Sequence, residues 1–251
     1  MITATALTKT FDGFAALSGF TAEIPRGSIY GLVGTNGSGK STLLRLISGI
    51  YRPDGGEIRV AGEIPFENSS VKERIVHVSD DLYFLPQSSM NDMARFYAGM
   101  YRSFSWEAYR EMCSRFPIDP KKRINTFSKG MKRQTALILA LSCRPDILLL
   151  DEAFDGLDPV IRIGLRKILA DLIADGGMTV VIASHNLREL EDLCDHMGLL
   201  HAGKVIFARC RPLLPLPPSR RLCRLWTSCS TRPAAVCSTS SCGATPTTLW
   251  Q

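Results

Sequence analysis

The sequence predicts an α/β fold in which a mostly parallel sheet is flanked by helices. Three observations carry this prediction. Short apolar runs such as "SIYGLV" (28–33), "DILLLD" (146–151) and "MTVVIASH" (178–185) have the length of strands covered on both faces. Stretches with apolar residues at helical spacing lie between them. A hydrophobic content of 45% in 251 residues can fill a substantial core, yet no apolar run approaches the roughly 18 residues that cross a bilayer. The N-terminal "MITATALTKTFDGF" lacks a basic segment followed by a continuous apolar one, so the chain is expected neither to span a membrane nor to leave through a signal peptide.

Taken in order, "SIYGLV" reads as a buried strand. After a glycine-rich turn, Leu43, Leu46, Ile47 and Ile50 recur at i, i+3, i+4 and i+7, predicting a helix that ends near Gly49. "EIRVAG" (57–62) and "RIVHVS" (74–79) read as further strands. Residues 89–116 are rich in methionine and aromatics at helical spacing with no convincing strand, which places an inserted helical subdomain at about 86–128. "KRQTALILALSC" (132–143) follows as a largely buried helix, then "DILLLD" as a strand, a helix from Pro159 and the strand "MTVVIASH". There is no internal repeat.

Charge and cysteine usage change near residue 208. Six arginines lie from Arg209 onward with no lysine and no acid, which leaves 24 basic against 24 acidic groups in residues 1–208. A neutral body offers no basic coat for nucleic acid. Cys113, Cys143 and Cys194 are isolated in the body, as in a reduced cytoplasmic protein, whereas five of the eight cysteines crowd the last stretch. Residues 208–251, rich in Pro, Ser, Thr, Arg and Cys, lack close pairs of metal ligands and any period, so they read as a disordered or out-of-frame tail after a body of residues 1–207.

The chemistry begins at "GLVGTNGSGKSTLLRL" (31–46). Gly34, Thr35, Asn36, Gly37, Ser38, Gly39, Lys40 and Ser41 fit G-x-x-x-x-G-K-[ST] between a strand and a helix. Glycines let successive backbone N–H groups point inward at a polyphosphate, and the positive end of the helix adds to the attraction. Lys40 can reach the β- and γ-phosphates, and the Ser41 hydroxyl can join the shell of a bridging Mg²⁺. "ILLLDE" then puts Asp151 and Glu152 at the carboxyl end of a strand. Beside a phosphate loop, Asp151 would hold Mg²⁺ and Glu152 would position and deprotonate water. In "NTFSKGMKRQ" (125–134), Ser128 is a plausible helix N-cap and Gly130 allows close approach, a second anion site. The plainer reading is a capped surface helix with Lys129, Lys132 and Arg133 solvated.

"GTNGSGKST", "FSKGMKRQ", "ILLLDEAFDGLDP" and "VVIASHNLREL" occur in the order and spacing of the ATP-binding subunits of ABC transporters, which the chain resembles over residues 2 to about 207, its basic signature resembling those of exporter- and antibiotic-resistance-type members. The resemblance implies a P-loop hydrolase core with an N-terminal antiparallel β portion and the inserted helical subdomain. It implies ATP and Mg²⁺ sandwiched in a head-to-tail pair with a second ATP-binding subunit. Gly34, Asn36, Gly37, Ser38, Gly39, Lys40, Ser41 and Thr42 of one chain would then face Ser128 and Gly130 of the other. By the same resemblance Phe11 stacks on adenine, Asp158 crosses the interface, His185 contacts the γ-phosphate, and a multi-spanning permease holds the chain on the cytoplasmic face of the membrane. The signature reads Phe-Ser-Lys-Gly-Met where Leu-Ser-Gly-Gly-Gln is commonest, and Asp80 stands where the family carries a metal-facing glutamine. Asp80 joins Ser41 and Asp151 as an expected metal ligand. Two alternatives stay open on these residues: a soluble ATPase of this type acting on nucleic acid through Lys121, Lys122 and Arg123, and a subunit impaired by its tail.

Overall fold

Two apolar faces of one sheet organise the molecule. The computed structural model describes residues 1–191 and 193–210. Residues 211–251 lie outside the described residues, and with them the disordered and out-of-frame readings of the tail.

The chain opens with a hairpin of β1 (Ile2–Phe11) and β2 (Phe14–Ile24), turned by Asp12 (φ 47°) and Gly13 (φ 83°). Two left-handed residues give a turn whose twist matches that of paired strands. β3 (Ile29–Val33), the phosphate-loop sequence, α1 (Lys40–Ile47) and β4 (Gly55–Val60) follow. β4 pairs antiparallel with β1, giving a three-stranded sheet of order β2-β1-β4. α2 (Ser69–Lys72) leads into β5 (Ile75–Val78). Next come α3 (Met90–Met100), α4 (Trp106–Arg115), a 3-10 turn at Ile124–Thr126 and α5 (Lys129–Ser142), before β6 (Ile147–Asp151) returns to the sheet. α6 (Pro159–Gly176), β7 (Thr179–Ser184), α7 (Leu187–Glu191), β8 (His196–His201) and β9 (Lys204–Cys210) complete the described chain.

The six-stranded sheet has the order β5-β6-β7-β3-β8-β9, parallel except for the β8–β9 hairpin. Successive residues of a strand point to opposite faces, and β6 shows the result. Leu148 and Leu150 join a core with Val76, Val78, Val180 and Ile182, filled from α3, α4, α5 and α6. Ile147 and Leu149 join the opposite core with Val181, Ala183 and Leu32, filled by Leu43, Leu46 and Ile47 of α1 and by Ile2, Leu7, Phe20 and Ile58 of the small sheet. A strand buried on both sides reads as an unbroken apolar run for this reason.

Helix ends follow from local chemistry. Ser89 and Asp92 form a reciprocal capping box at α3, and Ser105 caps α4. Asp158 accepts from the Val160 N–H, with Pro159 at the first helical position of α6. α1 stops at Ile47 because Gly49 turns left-handed (φ 67°), and its N–H donates to Leu46 while that of Ile50 donates to Arg45. Ile50 therefore leaves the helical face it was expected to share and stands 56% exposed. β9 also runs past residue 207, where the sequence placed the end of the body, because it stays paired with β8 as far as Cys210.

A side chain at Gly49 would be strained twice, by its φ and by a Cβ lying 2.2 Å from the Pro65 carbonyl oxygen. Gly49→Ala is expected to cost about 2 kcal/mol or more. Thermal unfolding should show the midpoint lowered by roughly 4–8 °C for a body of this size.

Candidate functional site

Parallel register decides where the site lies. Val33 of β3 stands beside Ser184 of β7, and Asp151 of β6 beside Ala183 of β7, so the residues that follow these strands emerge together at one carboxyl edge. The Gly34 N–H donates to the Ser184 carbonyl at 3.3 Å, and the Glu152 N–H donates to that of Ala183 at 2.9 Å. Gly34, Glu152 and His185 are thereby brought to one place.

The loop is built for close approach. A Cβ on Gly34 would lie 2.4 Å from Ser38 Oγ and 2.5 Å from the Leu200 carbonyl oxygen, so this position has room for hydrogen alone. Gly39, at the N-cap of α1, has φ 106° and would meet Ala16 in the same way. Thr35, Asn36 and Gly37 are exposed, Ser41 and Thr42 half-buried. Ser38 Oγ is buried with no protein partner, a polar group that a phosphate oxygen would satisfy. Lys40 is 5% exposed; its ammonium donates to the carbonyls of Gly34 (2.8 Å) and Thr35 (3.2 Å) and lies 3.4 Å from Glu152 Oε1.

Glu152 is held from three sides. Its Oε2 lies 2.9 Å from His185 Nδ1 and accepts the His185 backbone N–H at 3.3 Å, while Oε1 faces Lys40. Its carbonyl accepts from Arg133 Nη1, and its φ of 48° is left-handed, rare for a residue with a side chain. Asp151, next to it, is buried. Desolvation raises its carboxyl above the ordinary value, opposed by a hydrogen bond from the Ser41 hydroxyl and reinforced by the charges of Glu152 and Asp80. Its Oδ1 is buried without a partner. A hydroxyl and a carboxylate with a spare buried oxygen are a hard oxygen donor set of the kind Mg²⁺ takes.

The remaining expected residues lie elsewhere in the chain. Asp80 is near Asp151, and its Oδ1 accepts from Arg133 Nη2 at 2.6 Å, so that oxygen faces a guanidinium. Ser128 caps α5, accepting from the Met131 N–H at 3.2 Å. Gly130 packs so closely that a Cβ would be 3.0 Å from the Gly156 carbonyl oxygen, and Lys129 reaches Asp155 at 3.6 Å. Among the described residues no hydrogen bond or ion pair links Ser128, Gly130 or Asp158 to the phosphate loop. Phe11 ends β1, 38% exposed, with its ring edge-on to Tyr51 at 5.2 Å and Lys9 Nζ 5.4 Å from its centroid.

Two participants were not foreseen. Arg133, read from sequence as solvated, is 1% exposed. It stands four and eight residues before Leu137 and Leu141, both in the core, so helical spacing carried the signal. Tyr51, paired with Phe11 across 40 residues of chain, had no local signal.

A strand-loop-helix cradle for phosphates, with two adjacent acids at the same sheet edge, defines a nucleotide hydrolase. Residues 17–155 match the ABC transporter family. The ATP-binding protein YtrB of Bacillus subtilis is 32% identical over 200 residues, covering 80% of this chain and 68% of that protein. The bacitracin transport ATP-binding protein BcrA of Bacillus licheniformis is 31% identical over 213 residues, covering 82% and 68%. Among solved structures, the dimeric cassette MJ0796 superposes with a TM-score of 0.76 at 22% identity over 84% of this chain and 98% of that one. cbiO1 of Clostridium perfringens superposes with a TM-score of 0.69 at 27% identity, covering 82% and 87%. The chain belongs to the ATP-binding subunits of ABC transporters, ATPases whose hydrolysis of ATP powers transport.

Lys40→Ala removes the ammonium and leaves Glu152 without its buried counter-charge. Calorimetry with ATP is expected to show affinity reduced by about 30-fold or more, the consequence of removing a buried cation that would meet the β- and γ-phosphates and leaving the Glu152 charge to repel them.

Proposed function

We propose that this chain hydrolyses ATP with Glu152 as the general base, in a head-to-tail pair with a second ATP-binding subunit. The pair would sit on the cytoplasmic face of a membrane beneath a multi-spanning permease. The observation that carries the reading is the placement of the Glu152 carboxylate between Lys40 and His185, at the sheet edge where the phosphate loop opens. Glu152 takes a proton from water, and the water oxygen attacks the γ-phosphorus in line as the bond to the bridging oxygen of ADP breaks. Lys40 and the loop N–H groups hold the β- and γ-oxygens, and His185 steadies both the base and the γ-phosphate.

Ser41 and Asp151 would hold magnesium, which when bound neutralises charge on the β- and γ-phosphates. Asp80 has one oxygen on Arg133 and at most the other to offer. Among the described residues no hydrogen bond or ion pair joins the signature residues to the loop. Ser128 and Gly130 therefore act in this reading on nucleotide held by the partner subunit, with Asp158 at the same interface and Phe11 against the adenine.

Docking on a permease is supported by an apolar groove of about 230 Å³ lined by Tyr83, Leu85, Met93, Phe96, Met100 and others. Tyr83 is 76% and Phe96 45% exposed, a cost a monomer has no reason to bear. No helix among the described residues is long and apolar enough to cross a membrane. A short apolar segment of a membrane subunit is the occupant that fits a transport ATPase.

Glu152→Gln keeps the shape and removes the base. It is expected to bind ATP with near-normal affinity, to turn over about 100-fold more slowly or worse, and to accumulate as an ATP-dependent dimer on size-exclusion chromatography. Hydrolysis at the wild-type rate would remove Glu152 from this role. Phe96→Asp places a charge in the groove and is expected to abolish co-purification of the tagged chain with its membrane subunit.

A further inference from the structure

We propose that the Asp80–Arg133 ion pair is a strut that positions Glu152, an inference that rests on Glu152 being the base. Arg133 leaves α5 into the interior, where it is 1% exposed. Its two terminal nitrogens are split between distinct partners: Nη2 donates to Asp80 Oδ1 at 2.6 Å and Nη1 to the backbone carbonyl of Glu152. A guanidinium so deeply buried requires a counter-charge, and Asp80 supplies it. Asp80 itself is more than half exposed, so the pair reaches from solvent to the backbone beside the reacting groups.

What the strut fixes is a strained residue. Glu152 holds φ at 48°, a conformation that persists where the surroundings over-determine it. The peptide plane before it is pinned by the hydrogen bond to Ala183, and the plane after it by Arg133. With both planes held, the Cα–Cβ direction is set and the carboxylate is delivered between Lys40 and His185. Release of the second plane lets Glu152 relax towards an ordinary φ and swings its carboxylate off the line of attack. Asp80 and Arg133 are thus positioning residues, and Asp80 acts on the site through Arg133 instead of through a metal.

The test uses the full chain and the variants Asp80→Asn, Arg133→Gln, Arg133→Lys and the double Asp80→Asn/Arg133→Gln. Asp80→Asn and Arg133→Gln are each expected to lower kcat by about 10-fold or more, with KM for ATP and the magnesium concentration for half-activation changed by less than about 2-fold. Because both cut the same strut, the double should be no slower than the slower single, and Arg133→Lys should recover part of the loss. A second readout is independent of catalysis: the ¹⁵N shift of the His185 ring, assigned with His185→Gln, reports its contact with Glu152 and should move in Asp80→Asn and Arg133→Gln. An unmoved His185 signal in Asp80→Asn overturns the strut. So does a 10-fold higher magnesium requirement in Asp80→Asn with Arg133→Gln unaffected, which would make Asp80 a metal ligand. Wild-type hydrolysis by Glu152→Gln alongside a shifted His185 signal would overturn the role of the base and leave the strut as a structural one.

Discussion

The ion pair between Lys40 and Glu152 is the interaction around which the site is arranged. Two opposite charges 3.4 Å apart, in a place nearly closed to water, attract strongly. The fold gives each a second commitment. Lys40 spends two donors on the carbonyls of Gly34 and Thr35, which ties the ammonium to the loop whose phosphates it would serve. Glu152 gives its other oxygen to His185 and its backbone to β7 and α5. Each tie depends on register: a slip of one residue in β6 or β7 would send Asp151 or Ser184 to the opposite face.

The neighbouring carboxylates show why the site suits a cation and an anion together. Asp151 is buried, has one oxygen without a partner, and feels the negative charges of Glu152 and Asp80. Ser38 Oγ is likewise buried without a partner on the other side of the loop. Polar atoms left in this way are costly in a packed interior, and a magnesium polyphosphate satisfies both kinds at once. Pairing Asp80 with Arg133 sets a positive charge against that local excess of negative charge.

How much of this was legible in the sequence follows from what each signal depends on. Buried parallel strands announce themselves as apolar runs, so β3, β5, β6 and β7 and the carboxyl edge they share could be read directly, and the phosphate loop with them. The N-terminal hairpin carries alternation around Asp12–Gly13, a turn signal legible in the sequence. Arg133 reads as solvated beside its basic sequence neighbours Lys129 and Lys132, yet helical geometry puts it in line with Leu137 and Leu141 and buries it. The contact of Asp80 with Arg133 spans 53 residues and that of Phe11 with Tyr51 spans 40. Such pairings are decided by packing, and no local pattern encodes them.

In the proposed pair of chains, α5 would join the two halves of the site. Ser128 caps its exposed N-terminus, and Arg133 projects inward from the same rigid element five residues later, about 7.5 Å along the axis. A helix with every residue from Arg133 to Ser142 buried cannot bend at that point without disturbing the core, so it would move as a unit. Nucleotide pulling on Ser128 across a dimer interface would therefore act on Arg133, and through it on the peptide that fixes Glu152. The outer end of the same connection, Asp80, lies on the loop that contributes Tyr83 and Leu85 to the apolar groove. Under the proposed dimer mechanism, one buried guanidinium would thus lie between a second nucleotide, the groove and the carboxylate of Glu152.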